Sequence, residues 1–459
     1  MIINLTKFIM SLSTALDYAE KALAEKISLS VHPFHGMRVA ALVDRMAGYL
    51  GLGEDVRFAL AQAAMLHDCA LSEYLNDEFF GNAVTTDEGY MVAHCTAGEE
   101  IVRKLPLYEL TSGAVLYHHE RADGKGAFRL KAEETPVYAQ LIHMADTVDV
   151  NYPLHSCSMN EYEEIHGWVK SNSGIIFSEE CADVFLNSID YEFIRSIAGE
   201  RAREYLTEEL PDRMQEVSVK TLREMSLIFA DITDYKSQFT WRHSKGIAEK
   251  AEDMGKYYAL EEDECSKLYI AGTLHDIGKL LIGDDILEKP GRLSVDEYRE
   301  IQNHALGTWD MLHGISGLED ITEWAALHHE KLDGSGYPFR LTGDKLDRNS
   351  RLMACLDIYQ ALVEDRPYKA GMSHQDAIAI LKKMGNSGQL DMGIIFDIDT
   401  CFTDSEAKTD LLHYEPVNQE ALKSGYRCPV CGYFLEGELP EDFICPRCEQ
   451  PGSIFEKIS

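Results

Sequence analysis

Five stations between Thr240 and Lys369 carry side chains able to hold metal ions: His243, the pair His275–Asp276, His304, the pair His328–His329, and Asp357. Imidazole and carboxylate donors together suit iron, manganese or zinc, and two carboxylates offset part of the charge of two cations. A lone His-Asp dipeptide would mean little, and any single histidine here is more simply a packed core residue. Three further histidine positions and a second aspartate in one domain-sized window are a different matter. They make a two-metal centre the first expectation.

The ligands need a scaffold that brings them together. Ser266–Ile282 is apolar at helical spacing through Leu268, Tyr269, Ala271, Gly272, Leu274 and Ile277, which predicts a buried helix carrying His275 and Asp276. Neighbours on a helix diverge by roughly a quarter turn. His275 then faces one ion while the two oxygens of Asp276 bridge to a second. His328–His329 offers the same divergence from another helix.

The pattern occurs twice. His35, His67–Asp68, His94, His118–His119 and Asp146 recur at His243, His275–Asp276, His304, His328–His329 and Asp357, with offsets of 208, 208, 210, 210 and 211 residues. Intervening text matches as well: His118-His119-Glu120 leads to Asp123-Gly124, as His328-His329-Glu330 leads to Asp333-Gly334. Such agreement marks a duplicated domain. Strand-like alternation is scarce in both copies, so the fold class is mainly α: two tandem all-helical domains.

The expected divisions are a first domain over 1–200, a helical connector over 201–228, a second domain over 229–403, a polar linker over 404–425 and a tail over 426–459. The tail changes character. Cys428-Pro-Val-Cys431 and Cys445-Pro-Arg-Cys448 form two C-x2-C knuckles thirteen residues apart, the spacing of a tetrahedral four-thiolate site in a small β module.

The bulk numbers exclude some functions. The chain has 459 residues and a formal charge of −35, which argues against a nucleic-acid duplex as partner, since that needs clustered Lys and Arg. A small phosphate substrate is compatible, because bound cations reverse the local field. Met1–Leu16 reads as a first helix rather than a signal peptide. No apolar run is long enough to span a bilayer. Seven of the eleven cysteines are scattered singly, which fits a reduced, cytoplasmic location.

The second repeat resembles the HD-GYP family of cyclic-dinucleotide phosphodiesterases over roughly residues 229–396. The likeness rests on His275-Asp276-Ile277-Gly278-Lys279, on His328 through Asp333-Gly334-Ser335-Gly336-Tyr337-Pro338, and on Asp365-Arg366-Pro367-Tyr368-Lys369. The resemblance implies two divalent ions, iron or manganese, on the seven ligands, and a cyclic dinucleotide substrate, cyclic di-GMP by family default. Asp276 and Lys279 are the implied catalytic residues; Lys279, Tyr337, Arg366 and Lys369 the implied substrate contacts. Some relatives add a third metal through a Glu four residues before the first histidine; here that place is Phe239, so two metals are expected.

The first repeat resembles the same family without its signature. All seven ligand positions are present, so it too is a candidate for two ions. The place of Lys279, however, is Leu71, Gly-Tyr-Pro is replaced by Gly126-Ala127-Phe128, and the places of Arg366 and Lys369 fall at His155 and Ser158. It reads as a regulatory or divergent partner domain. The tail resembles the rubredoxin-like module of rubrerythrins, which implies one iron, with zinc as the structural alternative, on its four cysteines. A redox partner and a homo-oligomer complete the expected associations. Two other readings fit the same residues: a non-catalytic sensor of nucleotide, metal or redox state, and a di-iron redox enzyme fed by the tail.

Overall fold

A computed structural model describes residues 1–26, 33–70, 88–236, 240–287, 289, 291–365, 370–403, 425–427, 434–436, 440 and 456–458. In chain order the helices that matter for the sites are α1 (Leu5–Lys26), α2 (His35–Tyr49), α3 (Glu54–Met65), α4 (Glu88–Val102) and α5 (Val137–Asn151), then α6 (Val219–Lys236), α7 (Thr240–Tyr257), α8 (Glu262–Leu274), α9 (Val295–Leu312), α10 (Glu319–Ala326) and α11 (Arg348–Val363). The expected mainly helical class holds. Among the described residues, strands form one two-stranded antiparallel sheet, Ile2–Asn4 with Met214–Glu216, and one three-stranded antiparallel sheet in the tail. In the tail sheet Gly425–Arg427 runs between Phe434–Glu436 and Glu456–Ile458.

The chain divides into two compact units. One includes Phe34–Arg103 and Leu107–Leu206 and carries the first repeat; the other includes Thr207–Lys408, with the second repeat, together with Met1–Pro33, which holds the N-terminal strand and α1. This differs from the expected grouping of residues 1–200. The reason is packing. Leu5, Phe8, Ile9, Leu12, Ala15, Leu16 and Ala19 bury one stripe of α1. Phe8 meets Phe229 of α6 edge-on, with ring centroids 5.3 Å apart, and Ser11 Oγ donates to the Met311 carbonyl at 2.6 Å. Full burial of each large side chain in that stripe stabilises the arrangement by about 1.5–3 kcal/mol. Sequence proximity to the first repeat is outweighed by that seam.

The connector is likewise not one helix. A helix over Arg201–Glu209 stops ahead of Pro211, since a proline disfavours helical backbone in the residue before it. The chain then forms the Met214–Glu216 strand before α6 begins.

Capping residues set the elements that present ligands. Ser294 and Glu297 form a reciprocal box at the start of α9: Ser294 Oγ accepts from Glu297 N at 3.2 Å, and Glu297 Oε2 accepts from Ser294 N at 2.7 Å. Asp347 caps α11 by accepting from Ser350 N at 2.6 Å.

Candidate metal centre

In the second repeat the His-Asp motif does not lie within a helix. α8 ends at Leu274, and a 3-10 turn runs from Ile277 to Leu281. His328 and His329 similarly follow the end of α10 rather than sitting in it. The turn after the first break packs closely on α9 at Gly278. A side chain there would overlap the His304 carbonyl, with Gly307 C only 2.8 Å from the added carbon, so this glycine lets the turn press against α9. Thr308 secures the contact: its Oγ1 donates to the His275 carbonyl at 2.8 Å and accepts from Gly278 N at 3.1 Å.

All seven predicted ligands of this repeat converge. Asp276 splits its oxygens, Oδ2 lying 3.2 Å from His275 Nε2 and Oδ1 lying 3.4 Å from His304 Nε2. Asp357 does the same, Oδ1 at 3.1 Å from His243 Nε2 and Oδ2 at 3.4 Å from His329 Nδ1. His304 and His328 bring their Nε2 atoms within 3.3 Å. His243, His275 and Asp276 form one group of close donors, and His304, His328 and His329 another. Apart from the half-buried His329, the seven are buried.

Three rings are oriented by backbone. The Nδ1 atoms of His275, His304 and His328 donate to the carbonyls three residues earlier, Gly272, Ile301 and Ala325, at 2.8, 2.6 and 2.6 Å. That fixes the tautomer and leaves each Nε2 lone pair facing the cluster, as metal-bound imidazoles require. His243 is held through Nδ1 by Glu364 at 3.0 Å. The sequence reading missed Glu364; its signal is a position seven residues, two helical turns, beyond Asp357.

Electrostatics agree with a cation seat. Burial pushes His304 down to about 3 and lowers His328 and His329, so these rings are neutral ligands. Burial opposes charge on His243 as well, but Asp357 and Glu364 hold it up at about 9. Asp276 and Asp357 stay well below the usual carboxylate range, their histidine neighbours outweighing burial. His275 Nε2 is buried without a hydrogen-bond partner, which a metal would supply. The nitrogen and oxygen donors therefore fit divalent metal.

Lys279 Nζ binds Asp276 Oδ2 at 2.5 Å and remains partly exposed at the rim. Tyr337 stacks obliquely near His329, ring centroids 4.7 Å apart, and burial raises its phenol well above the ordinary value. Its loop is shaped by Glu330, whose oxygens accept from Phe339 N at 2.7 Å and Leu341 N at 2.9 Å. Arg366, Lys369, Leu71, Phe239, Cys428, Cys431, Cys445 and Cys448 lie outside the described residues.

The first repeat rebuilds the cage in its own unit. His35 Nε2 lies 3.4 Å and His67 Nε2 3.7 Å from Asp146 Oδ1; Asp68 Oδ2 lies 3.4 Å from His67, and Asp68 Oδ1 3.3 Å from His94 and 3.6 Å from His118. His119 stacks on His118, centroids 4.0 Å apart. Asp149 is engaged elsewhere, taking His35 Nδ1 at 2.7 Å and the Arg38 guanidinium at 2.6 and 2.8 Å. Ser158, at the place of Lys369, caps the helix Met159–Ser171. Glu120 holds the loop after His119 as Glu330 does, but through Phe128 N and Leu130 N, each one residue nearer than its counterpart. The offset step from 210 to 211 is thus one extra residue at Tyr337-Pro338, the part of the loop that the first copy lacks.

Two copies of a helical cage, each with a His-Asp turn and imidazoles sharing split carboxylates, define an HD-domain, metal-dependent hydrolase. Comparison with known proteins agrees. HD-domain models match residues 34–151 and 228–394, and a rubrerythrin rubredoxin-like domain model matches 426–456. A 3′3′-cGAMP-specific phosphodiesterase of Vibrio cholerae serotype O1 is 30% identical over 375 residues, covering 79% of this chain and 86% of that one. A probable cyclic di-GMP phosphodiesterase of the same organism is 36% identical over 208 residues, 43% of this chain and 45% of the other. A crystal structure of a cyclic GMP-AMP specific phosphodiesterase from V. cholerae shares the fold with TM-score 0.61 at 22% identity, covering 88% of this chain and 98% of that one. The chain belongs to the HD-GYP-type phosphodiesterase family and ends in a rubredoxin-like domain. No described helix is long and apolar enough to cross a membrane.

Proposed function

We propose that the second repeat hydrolyses a phosphodiester bond of a cyclic dinucleotide, with two divalent ions on His243, His275, Asp276, His304, His328, His329 and Asp357. The observation that carries this reading is the division of each carboxylate between two imidazoles, Asp276 between His275 and His304 and Asp357 between His243 and His329. When bound, the ions supply a nucleophile from water near neutral pH and neutralise phosphate oxygens.

The protein's own groups do the rest. Asp276 is shared between the two donor groups and stays ionised, so it would help to hold the cations. Lys279, tethered to Asp276 at the rim, stabilises charge that grows on the phosphate oxygens. Tyr337, packed on His329, lines the substrate side and shields the centre from water; its raised pKa keeps it a neutral donor. Arg366 and Lys369 are assigned to the substrate phosphates by family position.

The relatives named above act on cyclic GMP-AMP or cyclic di-GMP, so both belong in the assay. The first repeat, with the same donor set and no Tyr-Pro insert, is read as a metal-holding partner domain without substrate turnover. The tail is read as a one-electron iron module that sets the oxidation state of the centre. On that reading Cys445→Ser leaves reduced-state turnover intact and removes its dependence on redox poise.

The deciding experiment is metal analysis with turnover of both dinucleotides for wild type and Asp276→Ala. Metal lost from the variant together with all turnover is expected. A metal-loaded wild type inert towards every cyclic dinucleotide would overturn the reading.

A further inference from the structure

The first repeat adds a donor that the second lacks. Cys95 follows His94 directly, where the second repeat has the buried methyl of Ala305. Its buried Sγ lies 4.0 Å from His94 Nε2 and 3.7 Å from His118 Nδ1. Donor atoms of His94, Cys95, His118 and His119 all fall within 4.8 Å of one another. On the opposite side of the cage, Asp68 Oδ1 is 3.3 Å from His94 Nε2 and 3.6 Å from His118 Nε2, and those two nitrogens are 3.3 Å apart.

Asp68 Oδ1, His94 Nε2 and His118 Nε2, separated by 3.3, 3.6 and 3.3 Å, form one face of a tetrahedron, while His118 Nδ1 donates away from it to the Val115 carbonyl at 2.6 Å. An ion bound at about 2.0–2.1 Å by nitrogen sets N–N edges of roughly 3.3 Å, and sulfur bound at about 2.3 Å sits roughly 3.5 Å from its nitrogen neighbours. At 4.0 Å from His94 Nε2, Sγ has to close by about half an ångström to complete an edge of that polyhedron. An independent observation points into the same space: His67 Nε2 and Asp68 Oδ1 are buried there with no hydrogen-bond partner.

Resting on the reading that the first repeat holds metal, we infer that Cys95 is a ligand of that ion. The metal–sulfur bond forms as the S–H bond breaks, the proton leaving to solvent. The first repeat is then a nitrogen, oxygen and sulfur site that selects a thiophilic ion such as zinc or ferrous iron. The second, with nitrogen and oxygen donors alone, admits manganese. One chain thus carries two HD cages of different metal preference, the difference made by one side chain.

Cobalt(II) is the probe, added to metal-free full-length protein. Wild type is compared with Cys95→Ser and Cys95→Ala by near-ultraviolet thiolate-to-metal charge-transfer absorption and by zinc–manganese competition. Cysteines of the tail contribute equally to all three, so the difference spectrum isolates one sulfur. Both variants should lose one thiolate's share of the band, and the zinc preference of one equivalent should weaken by about tenfold or more. Cys95→Ala keeps the test sound if serine disturbs folding, because the second repeat carries alanine at that place; circular dichroism checks the fold.

Spectra that superimpose on wild type overturn the inference. So does Asp68→Ala retaining every equivalent of metal, since the first repeat then holds none. Neither result touches turnover by the second repeat, so the two readings fail separately.

Discussion

Gly278→Ala should disable the second repeat through geometry alone. The added carbon overlaps the His304 carbonyl and lies 2.8 Å from Gly307 C, and the atoms it meets are backbone of α9, which cannot swing aside as a side chain could. Carbon atoms sit comfortably about 3.5–4.0 Å apart, so the turn and α9 must separate by roughly an ångström. His304 rides on α9 while His275 and Asp276 ride on the turn, so the 3.4 Å spacing between Asp276 Oδ1 and His304 Nε2 opens by a similar amount. Overpacking of this kind costs about 1–3 kcal/mol, and misplacing reacting groups by an ångström costs about a hundredfold in rate. Gly167→Ala is the control: nothing lies within 4 Å of its added carbon, and it sits inside the helix Met159–Ser171. That variant should be stabilised by about 0.5–1 kcal/mol. The assay is metal stoichiometry, thermal melting and turnover of a cyclic dinucleotide for all three proteins. Gly278→Ala retaining its metal and turning over within about twofold of wild type would refute the argument.

Lys279→Met should keep bound metal yet lose about a hundredfold in turnover, as expected for a cation aimed at developing charge; loss of metal instead would make Lys279 a support for Asp276. Glu364→Ala frees the Nδ1 side of His243 and should weaken metal binding by about 10–100-fold in a competition titration, with Glu364→Gln much closer to wild type. His143 is pushed by burial from 6.5 to about 4. Between those values the unfolded chain binds a proton that the folded chain refuses, so stability falls as pH drops from 6.5 towards 4. The loss is about 3 kcal/mol at most, and His143→Gln should flatten that limb of a urea-melting series. A variant with the same acid limb as wild type would show that other groups govern it.

The ligand stations were legible because a metal cage demands particular residue types, and duplication printed the demand twice. What sequence could not show was backbone direction. Apolar spacing ran through His275 and Asp276, so it read as one helix; nothing in that spacing marks the stop at Leu274. The stripe on α1 was visible, but a stripe does not name the surface it covers; that surface includes α6. Cys95 counted as one of seven scattered cysteines until the fold set it beside His118. Glu364 lay outside the repeated pattern, because in the first copy His35 uses Asp149 for the same purpose.

The partner held by most of these rings is a main-chain oxygen three residues back. A point mutation can delete a carboxylate, but it cannot delete a carbonyl from a turn that still folds. The aim of the cage is therefore insulated from drift in the surrounding side chains. One half of a duplicated chain can trade its loop, its rim lysine and a neighbouring methyl for other chemistry while the imidazoles keep pointing at the same spot.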